Sequence, residues 1–469
     1  MFMDPKFPYF SPKKTDQIRT KHTLYFLVLL LLLSSFVAFY FICPPETLSF
    51  LRFAYIAVPQ TTSSPHQFLR SPSTPISDKE CDYTRGIWVR DVDNGKFQYY
   101  DEGCPFLDPG FQCLRNGRED EGYLRWRWQP HGCQLPRGNR KEKINMSKNC
   151  FDDHLTPSSL IWILLITMDS ALWFNATDLL ERSRNGRIVF AGDSIGRNQW
   201  ESFLCMVSRS VSNLSNIYEV HGNPISKHKG YLSMMFADYN LTVEYYRSPF
   251  LVASARAPPN SPAHVRGSVL VDEMHVYSRF WSGADVLVCN AGHWWNQDKT
   301  DKMGFYFQEK GALNMSMDVV EGFGRAMKTW RRWASEKIER NNSHVFFRSY
   351  SPAHFRQGAW NEGGHCNDST EPFSDPSSIR PDPFYNDHIS KAIRDMERRG
   401  NRTKVHFLNI TGLTEYRRDG HPSSHREPGT PKNASQDCSH WCLPGIPDTW
   451  NKILYATLIR DGYRVDRGG

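Results

Sequence analysis

The apolar run Arg187-Ile188-Val189-Phe190-Ala191 stops on Gly192-Asp193-Ser194-Ile195-Gly196 and passes directly into a helical pattern over Arg197–Val211. A short buried strand feeding a helix through a glycine-flanked turn constrains this chain more than any other stretch. The helix carries the chain back across the sheet, so further strands must lie parallel to the first. Asp285–Asn290, His344–Arg348 and Lys404–Leu408 supply them. Met317–Arg340 reads as a helix, with Val319, Val320, Phe323, Met327, Trp330, Ala334 and Ile338 at a 3.6-residue period. Asp448–Arg460 reads as a closing helix. This alternation predicts an α/β fold, a three-layer sandwich whose central parallel sheet is covered on both faces. Ligands on such sheets bind beyond the carboxyl ends of the strands, where Ser194 and Asn290 both fall.

The chemistry at those ends is legible. A serine hydroxyl is a poor nucleophile unless an imidazole takes its proton, and the imidazole needs a carboxylate to fix its tautomer. Asp437-Cys438-Ser439-His440 puts both on one turn, about 240 residues after Ser194. Ser194, His440 and Asp437 are therefore the expected nucleophile, base and orienting acid of an acyl-transfer enzyme. Gly-x-Ser-x-Gly also suits the nucleophile elbow of an α/β-hydrolase, but there acid and histidine come from separate loops. An early serine with a late Asp-x-x-His resembles the GDSL/SGNH hydrolases instead. Asn290 is the candidate side-chain donor to an oxyanion, with the Ser194 backbone N–H as a second. His293, His354, His365 and His421 are rival bases; only His421 has a carboxylate at a comparable offset, Asp419. A Cys/His zinc site around Cys438–Cys442 lacks partner ligands at zinc spacing, so no metal is expected.

Leu24–Cys43 is uncharged for 20 residues, about 30 Å as a helix, with Lys13, Lys14, Arg19 and Lys21 before it. The positive-inside bias predicts a type II signal anchor with everything after it lumenal; a cleaved signal peptide is the alternative. Residues 1–23 are then a cytosolic tail, 24–43 the anchor and 44–79 a flexible stem rich in Ser, Thr and Pro. Ten of eleven cysteines and ten Asn-x-Ser/Thr sequons follow the anchor, consistent with an oxidising lumen. The net charge of +7 over 469 residues is too modest to argue for nucleic acid.

Cys81-Asp82-Tyr83-Thr84-Arg85-Gly86-Ile87-Trp88-Val89 and Tyr123-Leu124-Arg125-Trp126-Arg127-Trp128-Gln129-Pro130 resemble the N-terminal module of the plant trichome birefringence-like family. Gly192–Ser202, Phe347–Phe355 and Asp437–Gly445 resemble its later signatures. The resemblance implies residues 80–137 as that module and 174–469 as a PC-esterase-like catalytic domain. It implies a single-pass Golgi enzyme that O-acetylates a wall polysaccharide such as xylan, mannan, xyloglucan or pectin. It also implies Ser194, Asp437 and His440 as triad, Asn290 in the oxyanion hole, and disulfides Cys81–Cys133, Cys104–Cys205, Cys113–Cys442 and Cys366–Cys438, leaving Cys289 free. No bound cofactor is implied; an acetyl donor is required, acetyl-CoA being one candidate, and other Golgi wall-synthesis proteins are candidate partners.

Residues 138–173 depart from the family, which runs from the module directly into the catalytic domain. Their basic start and apolar run Leu160–Met168 fit a retained intron, with a lineage-specific loop as the alternative. Arg197, Trp294 and Trp295 are candidate substrate contacts, and Trp126, Trp128, Trp294 and Trp295 are candidates to stack on sugar rings, with burial in the core as the commoner role of tryptophan. A polysaccharide acetyl esterase would use the same triad with water as acceptor, and a non-catalytic wall-binding protein would leave the triad idle.

Overall fold

The computed structural model describes residues 81–90, 99–133 and 174–465, apart from 227–228, 339–342, 376, 378, 399–402 and 432. The anchor, the stem and residues 138–173 lie outside the described residues. Among those described, no helix is long and apolar enough to cross a membrane.

In chain order, β1 (Gly86–Arg90) and β2 (Trp126–Pro130) form a two-stranded antiparallel sheet of their own. Then come α1 (Ala176–Arg182), β3 (Arg187–Gly192), α2 (Ser194–Ser208), β4 (Ile217–Glu219), β5 (Tyr231–Phe236), β6 (Leu241–Arg247), β7 (Val252–Arg256) and β8 (Gly267–Met274). They are followed by α3 (Ser278–Trp281), β9 (Val286–Asn290), β10 (Phe305–Glu309), β11 (Ala312–Asn314), α4 (Val319–Lys337), β12 (His344–Arg348) and α5 (Phe384–Glu397). The chain closes with β13 (Lys404–Leu408), α6 (Thr411–Glu415) and α7 (Ile446–Arg460).

The main sheet has seven strands in the order β13-β12-β9-β3-β6-β5-β4. The first five are mutually parallel, and β5 and β4 continue antiparallel at one edge. Strand alternation sorts its side chains into two cores. Ile188, Phe190, Val286, Val288 and Phe346 face a cluster with Trp200, Phe203, Trp450 and Leu454 of α2 and α7. Val189, Ala191, Leu287, Val345 and Phe347 face a cluster with Phe323, Met327 and Trp330 of α4 and Ile389 and Ile393 of α5. Burial on both faces explains why these strands read as unbroken apolar runs. A second sheet, β11-β10-β8-β7, extends the latter side.

All four expected disulfides are present, and Cys289 is free and buried. Cys104–Cys205 ties the N-terminal module to α2, and Cys113–Cys442 ties it to the segment after His440. Tyr100 Oη donates to Asp448 of α7 at 2.8 Å, and Trp88 Nε1 donates to the Leu413 carbonyl at 2.6 Å. The module is thus packed into the catalytic body rather than appended to it.

Candidate active site

Ser194 is the first residue of α2, directly beyond the carboxyl end of β3. Asp193 caps the helix, its Oδ1 accepting the Ile195 N–H at 3.0 Å. The Gly192 carbonyl accepts the Ser248 N–H at 2.7 Å, and Tyr245 Oη donates to the Asp193 carbonyl at 3.0 Å, so both sides of the turn are fixed by the chain around β6. First-turn N–H groups of a helix lack intrahelical acceptors and carry its positive dipole end, so Ser194 stands in a field that favours an anion.

His440 arrives from the other end of the chain. Its Nε2 accepts from Ser194 Oγ at 2.8 Å, and its Nδ1–H donates to Asp437 Oδ2 at 2.8 Å. Asp437 Oδ1 accepts the N–H groups of Ser439 and His440 and the Ser439 hydroxyl. Asp437 itself is held by a two-bond antiparallel bridge to Ser423. Burial works against a charged imidazole at His440, but the Asp437 carboxylate outweighs it and His440 ends above the ordinary histidine range. Burial likewise pushes the Asp437 carboxyl up, and the His440 charge and hydrogen bonds more than offset it, holding the group ionised. This arrangement can deprotonate an alcohol and stabilise the imidazolium that forms.

Residues 173–457 match the model of the GDSL/SGNH-like acyl-esterase family found in Pmr5 and Cas1p, and residues 79–134 match the PMR5 N-terminal domain. The chain is 51% identical over 422 residues to trichome birefringence-like 9 of Arabidopsis thaliana, covering 89% of this chain and 93% of that protein. Trichome birefringence-like 6 of the same plant is 40% identical over 386 residues, 81% of this chain and 71% of that protein. The chain belongs to the trichome birefringence-like family.

In this family member, helix α2 also grips the histidine loop. Asn198, four residues after Ser194 and therefore on the same helix face, accepts the Trp441 N–H at 2.9 Å and donates to its carbonyl at 3.1 Å. Phe111 of the N-terminal module lies with its ring centroid 5.5 Å from that of His440, and its carbonyl accepts the Leu443 N–H at 2.9 Å. Asn198 is marked in the sequence only by its four-residue spacing from Ser194, and nothing local marks Phe111.

Asn290 ends β9 beside Ser194 and is buried, donating one N–H to Asp193 Oδ1 at 2.6 Å. A primary amide carries a second N–H, which leaves one for an oxyanion. Gly192 and Gly196 make room for it: a Cβ on either would lie 2.0 Å from Asn290 Oδ1. Both glycines of the motif thus serve close approach by the amide.

Two expected substrate contacts need correction. Arg197 is 3% exposed and pairs with Glu201 at 2.6 Å and Asp108 at 3.4 Å, filling the cleft between α2 and the N-terminal module. Burial raises Glu201 to about 7, against the pull of Arg197. Trp295 is fully buried against Phe250, Phe307 and Phe323, a core role. Trp128 is likewise buried and bonded to the Tyr83 carbonyl, and Trp126 is half-buried with Arg90 over its ring. Trp294 alone of the expected pair beyond β9 is partly open. Arg247 lies 5.8 Å and Lys299 Nζ 5.7 Å from its ring, and Lys299 lies 4.2 Å from the ring of Trp360, which is 40% exposed. Arg247 stands opposite Gly192 in the β3–β6 ladder, so this aromatic and basic group occupies the same sheet end as Ser194.

The rival bases have other duties. His293 stacks on Tyr350 and bonds the Ser351 carbonyl, and burial draws it down to about 4. His365 pairs with Arg356 in a short bridge. Asp419 pairs with Arg417, not with His421. The Cys289 thiol is pushed up to about 12 by burial, which removes it as a competing nucleophile. A cavity of about 990 Å³ lined by α4 and α5 residues including Glu321, Arg325 and His388 shares no residue with the triad.

Proposed function

We propose that this chain is a lumenal, membrane-anchored Golgi O-acetyltransferase that esterifies hydroxyls of a plant wall glycan through an acetyl-serine. The observation that carries the reading is the unbroken series Asp437–His440–Ser194, two contacts of 2.8 Å, at the sheet end of an acyl-esterase family domain. In the first half, Ser194 Oγ attacks the acetyl carbonyl of the donor while its proton passes to His440 Nε2. The carbonyl electron pair moves onto oxygen, facing the Ser194 N–H and the free N–H of Asn290. Collapse expels the donor group, which takes the proton from His440. In the second half, a sugar hydroxyl gives its proton to His440 and attacks the acetyl carbon, and collapse breaks the bond to Ser194 Oγ, which takes the proton back from His440. Asp437 keeps its negative charge throughout and holds the imidazole tautomer. Acetyl-CoA is a suitable donor by chemistry, and no metal enters the scheme.

Trp360 and Trp294 provide flat apolar faces for sugar rings, Lys299 provides a cation between them, and Arg247 a second beside Trp294. Water in place of the sugar would give an acetyl esterase, a reading favoured by the acyl-esterase character of the family. The deciding experiment gives the full-length detergent-solubilised protein an acetyl donor and a panel of deacetylated wall glycans, xylan, mannan, xyloglucan and pectin. Acetyl on sugar supports the transferase; free acetate alone, with every glycan unmodified, supports the esterase. Co-purification with other Golgi wall-synthesis proteins tests the proposed partners.

A further inference from the structure

Behind the histidine loop lies a buried pair of imidazoles that the mechanism does not use. His421 Nδ1 is 2.6 Å from the His440 carbonyl oxygen, His421 Nε2 is 2.7 Å from His354 Nδ1, and His354 Nε2 is 3.1 Å from the Glu415 carbonyl oxygen. His421 and His354 are 2% and 6% exposed. Trp441 stacks on His421 with ring centroids 4.0 Å apart, and the backbone N–H of His354 donates to the Cys438 carbonyl at 2.9 Å.

The His440 carbonyl fixes the tautomer of His421. A carbonyl oxygen only accepts, so His421 Nδ1 carries the proton that reaches His440. A neutral imidazole has one N–H, so a neutral His421 accepts at Nε2, while His354 meets His421 on one side and the Glu415 carbonyl on the other and when neutral can donate to only one of them. Burial keeps both rings neutral, with His421 drawn down to about 3 and His354 also low. The charged groups that face His421 are Arg118, which donates to its carbonyl, and the Asp437–His440 pair; those facing His354 are Arg380, Arg418 and the Glu415 carboxylate at 3.9 Å. Arg380 pairs with that carboxylate at 2.5 Å, so the series ends on a compensated ion pair.

We propose that His421, protonated at Nδ1, is a positioning residue that anchors the His440 peptide and so aims the catalytic imidazole at Ser194. Without it the His440 carbonyl loses a short buried hydrogen bond at the residue whose side chain must stay within 2.8 Å of Ser194 Oγ. The inference rests on Ser194, His440 and Asp437 acting as a triad.

The test is the rate at which a fluorophosphonate labels Ser194 in the full-length protein, which needs neither donor nor glycan. His421→Phe is expected to label about 10- to 100-fold more slowly, the range for losing a buried hydrogen bond and shifting a reacting group by a fraction of an ångström. His421→Asn, whose Nδ2–H stands where Nδ1–H stood, is expected to recover to within about threefold of wild type. In acetyl transfer the loss falls on kcat with KM unchanged. Wild-type labelling by His421→Phe, or equal slowness of His421→Asn and His421→Phe, overturns the inference. If His421→Phe does not fold, ¹⁵N-histidine NMR of wild type decides: His421 protonated at Nδ1 supports the proposal, and protonation at Nε2 overturns it. A wild-type protein that never labels at Ser194 overturns the triad reading instead.

Discussion

Gly196→Ala is the most informative single change, because it adds one methyl group outside the triad and reaches it through Asn290. The new Cβ would lie 2.0 Å from Asn290 Oδ1 and 3.0 Å from its Cγ. An ordinary carbon–oxygen contact needs about 3.4 Å, so the amide must retreat by about 1.4 Å. Gly196 sits on α2, which is locked to the sheet and to Trp441, so the side chain rather than the helix has to move. That retreat breaks the 2.6 Å bond to Asp193 and takes the second N–H away from the oxyanion. Loss of one oxyanion donor costs about 10²- to 10³-fold in kcat, or about 2.7–4 kcal/mol. The assay is steady-state acetyl transfer, or release if the acceptor is water, by Gly196→Ala, Asn290→Ala and the double variant. Each single variant is expected to fall by that factor, and the double no further, because both remove the same contact. Full activity in Gly196→Ala, or losses that multiply in the double variant, would refute the reasoning.

Other consequences are equally direct. Ser194→Ala and His440→Ala are each expected to lower kcat about 10⁴-fold or more, without additivity when combined, read by the same assay. His440 works as a base only when neutral, and its proton affinity lies above that of free histidine, so activity is expected to fall as pH drops through that raised value. Asp437→Asn removes the charge that raises it; the acid limb of the pH–rate profile moves to lower pH while the plateau falls about 10⁴-fold. Trp360→Ala is expected to raise KM for glycan by about 5- to 50-fold with little change in phosphonate labelling of Ser194, the worth of one stacking face. Opening Cys113–Cys442, which closes a 329-residue separation next to His440, as Cys113→Ala/Cys442→Ala is expected to cost about 3–5 kcal/mol, read as a lower Tm.

Much of this was legible beforehand, and the pattern of what was not is physical. Four of the parallel strands are legible to within a residue or two, Arg187–Gly192 and Val286–Asn290 lying within one residue of the expected runs and His344–Arg348 and Lys404–Leu408 agreeing at both ends, whereas the parallel strand Leu241–Arg247 is not anticipated. Burial on both faces leaves uninterrupted apolar runs that no helix period imitates. The antiparallel strands escaped notice because their burial is irregular; Val252–Arg256 is buried at its first residue only, and Ala312–Asn314 nowhere. Phe384–Glu397 is not anticipated either, although Ile389, Ala392, Ile393 and Met396 stand at helical spacing and form its buried face. At the site, the paired motifs point to Ser194, Asp437 and His440, which the structure brings into contact. Arg197 and Trp295 went wrong for the converse reason. An arginine beside a nucleophile or a tryptophan beside a strand end reads the same whether it faces ligand or core, and only packing separates the two.

The most direct measurement is peptide mass analysis of the full-length protein after brief exposure to acetyl donor without acceptor. The account expects one acetyl group on Ser194 that disappears when glycan is added and reappears on sugar. Glycan acetylated at an undiminished rate by Ser194→Ala, with no acetyl ever found on Ser194 of wild type, would contradict it.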